Sequence, residues 1–211
     1  MGQLKPLLLV VVAGTCLLAR ATIADAVITG SLYRVSEATS QNAIPANVPA
    51  GTADVTFDVN TPMDFDATGA TINQWLVSGS AFNIVENTPN TLTSLMDNGI
   101  NGTLVNFTGF VTVTTGQTFT VTHDDGLTLI IGGLDLGFDE GPTPPVTSTE
   151  TYTGPSGTFA FQLVYGECCS GPAVLQIDLP FTNTPAVPEP ATVVLLGVGL
   201  VGLGWARRRQ R

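Results

Sequence analysis

Three features of this chain bring ligating or reactive side chains together: Asp124-Asp125-Gly126, the adjacent Cys168-Cys169, and His123, the only histidine. Adjacent carboxylates on one turn present converging hard oxygens. Their plainer role is to bond the backbone amides of the turn itself. His123 continues the row of Phe119 and Val121 and reads as a residue at the rim of the core. Cys168 and Cys169 lie in Gly166–Pro172, a turn before the last strand, and apart from Cys16 they are the only cysteines. In an oxidising compartment they bond each other or another molecule, or they stay free thiols. A bond between neighbours stiffens its turn and closes no large loop; this vicinal bond is the expectation. The chain has no Ser nucleophile elbow, zincin motif or Cys-His pair. Carboxylates are numerous, but nothing marks two of them as a glycosidase pair.

The elements that position these groups are strands. Val55, Phe57 and Val59 alternate with Asp54, Thr56 and Asp58. Phe119 and Val121 alternate with threonines, and Leu127, Leu129 and Ile131 share a side. Phe159, Phe161, Leu163 and Tyr165 form a further row, as do Leu175, Ile177 and Leu179. Period-two alternation marks half-buried strands. Abundant Thr suits the outer face of a pleated sheet, and frequent Gly and Pro punctuate sandwiches and barrels. Asp-Asp-Gly between two such strands predicts a hairpin, with Gly supplying φ > 0. A helix is expected only over 90–97, where Leu92, Leu95 and Met96 could share a face. Gly141-Pro142-Thr143-Pro144-Pro145 must be loop, because Pro cannot donate to a ladder. The fold class is therefore all-β, an antiparallel β-sandwich. One domain is expected over 27–181, with a linker at 182–186 and no internal repeat.

Charge is distributed unevenly over the 211 residues. The net charge is −10, yet from 27 to 186 Arg34 is the only base, against fifteen acids. Without Lys and Arg to replace counterions, nucleic-acid binding is excluded, as is adhesion to anionic lipid. Most of the other bases mark the ends. Lys5 precedes an apolar stretch from Leu7 to Leu18, and Ala24-Asp25-Ala26 fits a signal-peptide cleavage site. Residues 1–26 therefore read as a secretory signal for the Sec machinery, with an apolar core of about twelve residues that is too short to span a membrane. At the other end Val187-Pro188-Glu189-Pro190 precedes an apolar stretch, Ala191 to Ala206, then Arg207-Arg208-Arg209-Gln210-Arg211. The Arg cluster holds that end on the cytoplasmic side while the body is exported. Gly197-Val198-Gly199-Leu200-Val201-Gly202 has dinucleotide-motif spacing, but it lies in this apolar stretch with no strand or acid to complete a site.

The C-terminal segment, 187–211, resembles the sorting signal of the PEP-CTERM family. Pro188, Glu189 and Pro190, the apolar helix, and Arg207, Arg208 and Arg209 stand in the family's order. The resemblance implies processing by exosortase, a membrane cysteine transpeptidase, after transient membrane anchoring. It also implies a cell-surface or matrix location in a bacterium with an outer membrane and an exopolysaccharide system.

The body, from Asn106 to Leu179, is similar to the protective-antigen-fragment family, a jelly-roll-like β-sandwich. The likeness is carried by Phe107-Thr108-Gly109-Phe110, by Asp124-Asp125-Gly126 with its flanking strands, by Phe161–Tyr165 and by Ala173–Ile177. The segment from Val27 to Ile100 shows no such likeness. In the lectin members the paired aspartates hold a Ca²⁺ that binds sugar hydroxyls. The resemblance thus implies Asp124 and Asp125 as Ca²⁺ ligands. A further ligand is sought among Asp135, Asp139 and Glu140. No loop asparagine of the lectin type is found, and no aromatic flanks the turn as a sugar platform. The expected function is that of a surface-sorted structural or adhesive protein associated with exopolysaccharide. The alternatives are a Ca²⁺-dependent carbohydrate-binding module and an extracellular hydrolase.

Overall fold

The computed structural model describes residues 27–182. The secretory signal and the sorting segment expected at the two ends lie outside these residues. Two antiparallel sheets pack face to face. The larger runs in the order β4 (Phe82–Glu86), β2 (Val55–Val59), β1 (Ile28–Ser36), β5 (Asn101–Val113), β10 (Gly157–Glu167), β7 (Leu127–Ile131) and β8 (Leu134–Asp135), and β12 (Phe181–Thr182) pairs with the far end of β5. The smaller runs β3 (Met63–Thr68), β11 (Pro172–Ile177), β6 (Thr118–Asp124) and β9 (Val146–Thr151). The alternating rows read from the sequence point into the space between the sheets. Val55, Phe57, Val59, Phe119, Val121, Leu127, Leu129, Ile131, Phe161, Leu163, Tyr165, Leu175, Ile177 and Leu179 are all buried. At about 25 cal/mol per Å² of apolar surface, each fully buried side chain contributes about 1.5–3 kcal/mol. The first half of the chain is part of the same sandwich, because β1 lies between β2 and β5.

Two local expectations are corrected. No helix forms over 90–97. Thr91 Oγ1 bonds the Thr88 carbonyl, and the Thr93 and Ser94 hydroxyls bond that of Asn90. Short polar side chains that bond nearby backbone in this way compete with a helix. Met96 is buried while Leu95 is 43% exposed, so no common face exists. The helix instead is α2 (Ile72–Ser78), preceded in the chain by the single-turn α1 (Glu37–Ser40). Its sequence signal is the capping box Thr71-x-x-Gln74: Gln74 N–H donates to Thr71 Oγ1 at 3.3 Å, and Thr71 N–H donates to Gln74 Oε1 at 2.9 Å. α2 buries Ile72, Trp75 and Leu76, with Trp75 stacked on Phe65 of β3 at 4.1 Å between ring centroids.

The second correction concerns Asp-Asp-Gly, which is no hairpin. β6 pairs with β11 and β9 in the smaller sheet, whereas β7 pairs with β10 and β8 in the larger. The turn carries the chain across the sandwich. Gly126 has no left-handed φ; it is needed for space, since a Cβ there would lie 2.2 Å from the Glu140 carbonyl oxygen. The tight hairpin comes five residues later. Gly132 and Gly133, at φ 60° and 85°, join Ile131 to its partner Leu134, as a two-residue primed turn requires.

Candidate metal centre

Three segments meet where β6 leaves the smaller sheet: the Asp124-Asp125 turn, the loop from Glu167 to Gly171 between β10 and β11, and the loop carrying Asp97 between β4 and β5. Asp124 ends β6 opposite Val174 of β11, and its peptide bond to Asp125 is cis. His123 braces the turn from inside. It is fully buried and not at the rim as expected. A carbonyl cannot donate, so His123 Nδ1 carries a proton and donates to the Asp125 carbonyl, while Nε2 pairs with Ser148 Oγ at 3.2 Å. Both ring nitrogens are thereby committed to this bracing.

The two aspartates are equally buried, each about 5% exposed. Asp125 is well partnered: its Oδ2 accepts from the Cys168 N–H at 2.7 Å, and the Thr143 backbone also bonds its carboxylate. Asp124 is not. Among the described residues no N–H or hydroxyl group donates to its carboxylate, and its one side-chain partner is the Asp125 carboxyl. Gly171 lies against this carboxylate: a Cβ there would sit 3.5 Å from Oδ2 and 4.0 Å from Oδ1. Burial raises the Asp124 carboxyl above its ordinary value. Burial also raises Asp125 to about 7, against the pull of the Cys168 amide, and the Asp124 charge adds to the rise.

Two further carboxylates complete the cluster. Glu167 is 2% exposed and bonds the Tyr165 hydroxyl at 2.7 Å. That hydroxyl also bonds the Asp124 carbonyl, which can only accept. The phenol has one proton to give, so the arrangement is satisfied when Glu167 is protonated and donates back. Burial pushes Glu167 up to about 9, and the neighbouring Asp125, Asp124 and Asp97 charges push the same way. Asp97 accepts from the Ser170 N–H at 2.9 Å through Oδ2 and from the Gly99 N–H at 3.0 Å through Oδ1. Arg34 holds this loop in place, donating to the carbonyls of Leu95, Met96 and Asn101 and to Thr103 Oγ1. Asp97, Glu167, Ser170 and Gly171, with Ala67, Gly69, Ala70, Met96 and Ala173, line a cavity of about 190 Å³, and Asp124 and Asp125 are not part of its lining.

The geometry sorts the predicted site residues. Asp124 and Asp125 are brought together. Asp135 and Asp139 are exposed and cap their own turns, accepting from the Gly137 and Gly141 amides at 2.9 Å. Glu140 is exposed, and its carbonyl takes the Ala43 amide. The structure instead gathers Asp97 and Glu167, which the sequence reading missed. Their only signals were Glu167 beside the cysteine pair and the turn-forming Asp97-Asn98-Gly99. Cys168 and Cys169 are bonded to each other, with Cα atoms 3.8 Å apart. Tyr165 lies beneath the site and stacks on Trp75 at 5.7 Å; both rings are fully buried and so offer no platform to a ligand. The Asp124–Asp125 pair offers hard oxygen ligands of the kind a Ca²⁺ ion takes, with Asp97 and Glu167 nearby; among the described residues, the ligand atoms found within 4.8 Å of one another in a group of three are those of Asp125, Cys168 and Cys169.

Comparison with known proteins bears on both ends of this description. Residues 186–209 match the PEP-CTERM protein-sorting motif, which implies export and exosortase processing. The match lies beyond the described residues, among which no helix is long and apolar enough to cross a membrane. No curated protein matches the sequence. Among solved structures, the PA14 sugar-binding domain from an RTX adhesin is 22% identical, with a TM-score of 0.52, over 75% of this chain and 91% of that one. That share exceeds what Asn106–Leu179 alone can supply, so the fold likeness reaches into the segment that showed none in sequence. The PA14 domain of the MpAFP antifreeze protein is 19% identical, with a TM-score of 0.48, over 80% of this chain and 88% of that one. The chain thus joins a body with the fold of a PA14 domain to a PEP-CTERM protein-sorting motif.

Proposed function

We propose that this protein is an adhesive surface domain that binds glycans through a Ca²⁺ ion held by Asp124 and Asp125. The observation that carries this reading is the pair of buried carboxyls at Asp124 and Asp125, bonded directly to each other and both raised by burial. Ionising both carboxyls of a buried pair is costly, and a divalent cation with oxygen ligands would relieve that cost. Asp97 is tied to the same loop through the Ser170 amide, and the Cys168 amide on Asp125 fixes the orientation of that carboxylate. The fold shared with a sugar-binding adhesin domain supports glycans as the ligand class, and the sorting motif supports work at the cell surface. Bound Ca²⁺ would offer open coordination positions to sugar hydroxyls. Association with exopolysaccharide follows as the natural setting for such a domain.

A hydrolase reading fits this carboxylate pair less well. Glycosidase carboxylates stand about 5–5.5 Å apart when retaining and about 6.5–9.5 Å when inverting. Asp124 and Asp125 bond each other directly. The test is calorimetric titration of the protein with CaCl₂. Heat of binding that vanishes in Asp124→Asn is expected; absence of heat in the native protein removes the metal from the account.

A further inference from the structure

The loop between β10 and β11 builds the site as much as the aspartate turn does. Within a few residues it gives the Cys168 N–H to Asp125 at 2.7 Å and the Ser170 N–H to Asp97 at 2.9 Å, and it sets Gly171 against Asp124. The disulfide lies between those two donors. The Cys168 and Cys169 sulfurs and an Asp125 carboxylate oxygen lie within 4.8 Å of one another. The two halves of the bridge differ in access: Cys168 is 1% exposed, whereas Cys169 is exposed, its sulfur taking the Gln41 amide at 3.4 Å. The backbone here is unusual as well. Cys169 and Ser170 stand at φ 65° and 62°, a left-handed region that side-chain-bearing residues disfavour. Neither is glycine, so contacts outside the backbone must hold the loop in this shape.

We infer that the Cys168–Cys169 disulfide is a reducible lock on the carboxylate site. Closed, it keeps the Cys168 and Ser170 amides on Asp125 and Asp97; opened by a dithiol, it releases them. A thiolate of the dithiol attacks the exposed Cys169 sulfur. The S–S bond breaks, and Cys168 leaves as a thiolate that takes up a proton. The second thiol of the reagent then attacks its own sulfur in the mixed disulfide and frees Cys169 as a thiol. Two electrons and two protons pass to the protein, and the reagent leaves as a cyclic disulfide. The loop, no longer tied, relaxes from its left-handed conformation and carries both amides off their carboxylates. The effect on Ca²⁺ rests on the calcium reading above. The effect on the loop does not.

The experiment uses the full chain, oxidised and then reduced with dithiothreitol, with reduction verified by a mass gain of about 2 Da. Hydrogen exchange at the Cys168 and Ser170 amides, without Ca²⁺, is expected to quicken at least about tenfold on reduction, while core amides of β10 and β11 stay protected. Unchanged exchange overturns the lock. Calorimetry with CaCl₂ is expected to show at least about tenfold weaker binding after reduction, since the Asp125 and Asp97 carboxylates each lose the amide that orients them. Equal affinity in the two forms also overturns it. If the oxidised protein takes no Ca²⁺, the calcium reading fails and the exchange result alone decides the lock. A Cys168→Ser/Cys169→Ser variant is expected to behave as the reduced form whether or not reductant is present, and exchange matching the oxidised form counts against the lock.

Discussion

Asp124 and Asp125 are buried to the same extent but keep opposite company. Amides surround the Asp125 carboxylate, while that of Asp124 meets only another carboxyl. Without a cation, then, the Asp124 charge works against the fold. Asp124→Asn is expected to hold or raise the metal-free melting temperature while weakening Ca²⁺ binding at least about 100-fold, which thermal melts with and without CaCl₂ will check. The same groups fix a pH dependence. Asp125 is raised to about 7 and Glu167 to about 9, so between about pH 4 and 9 the folded chain holds more protons than the unfolded one. Stability then falls as pH rises through that window. Metal-free melts at pH 5, 7 and 9 are expected to descend in that order, by at least about 5 °C overall. Added Ca²⁺ competes with those protons and is expected to stabilise more at pH 8 than at pH 5.

The strands were legible because burial on one face of a sheet forces a period of two, and the rows at Val55, Phe119, Leu127, Phe161 and Leu175 all obey it. Sheet membership was not legible. A strand-turn-strand pattern looks the same whether the second strand folds back or crosses to the facing sheet, and Asp124-Asp125-Gly126 crosses. Gly126 shows the difference physically, being required by the nearby Glu140 carbonyl and not by a left-handed turn. Gly126→Ala is therefore expected to destabilise the domain by about 2–4 kcal/mol in chemical denaturation, whereas Gly51→Ala, with open space around its Cβ and no left-handed φ, is expected to cost less. Half of the site was visible in the same way. Asp124 and Asp125 adjoin in sequence. Asp97 arrives on the loop between β4 and β5 and Glu167 at the end of β10, both far from the turn in sequence, and only the packing of the two sheets brings them near it. Short polar residues near 90–97 hid their own preference for turns behind an apolar spacing, and the capping box at Thr71 was the better helix signal.

Across the whole molecule, charge separates function by position. The described body carries a single base, Arg34, which is spent on the loop bearing Asp97. The acids that outnumber it give the body a negative charge, which repels anionic polymers and attracts cations. The sorting motif supplies the address. Glu189→Ala is expected to leave the protein in the membrane fraction, and unchanged release from membranes counts against a role for that residue in processing. The central claim is that glycan binding depends on Ca²⁺ at Asp124 and Asp125. A glycan array probed with the native protein, with and without a chelator, and with Asp124→Asn tests it most directly. Binding in Ca²⁺ that disappears both in chelator and in the variant is the predicted result. Glycan binding that persists in chelator, or in Asp124→Asn, contradicts it.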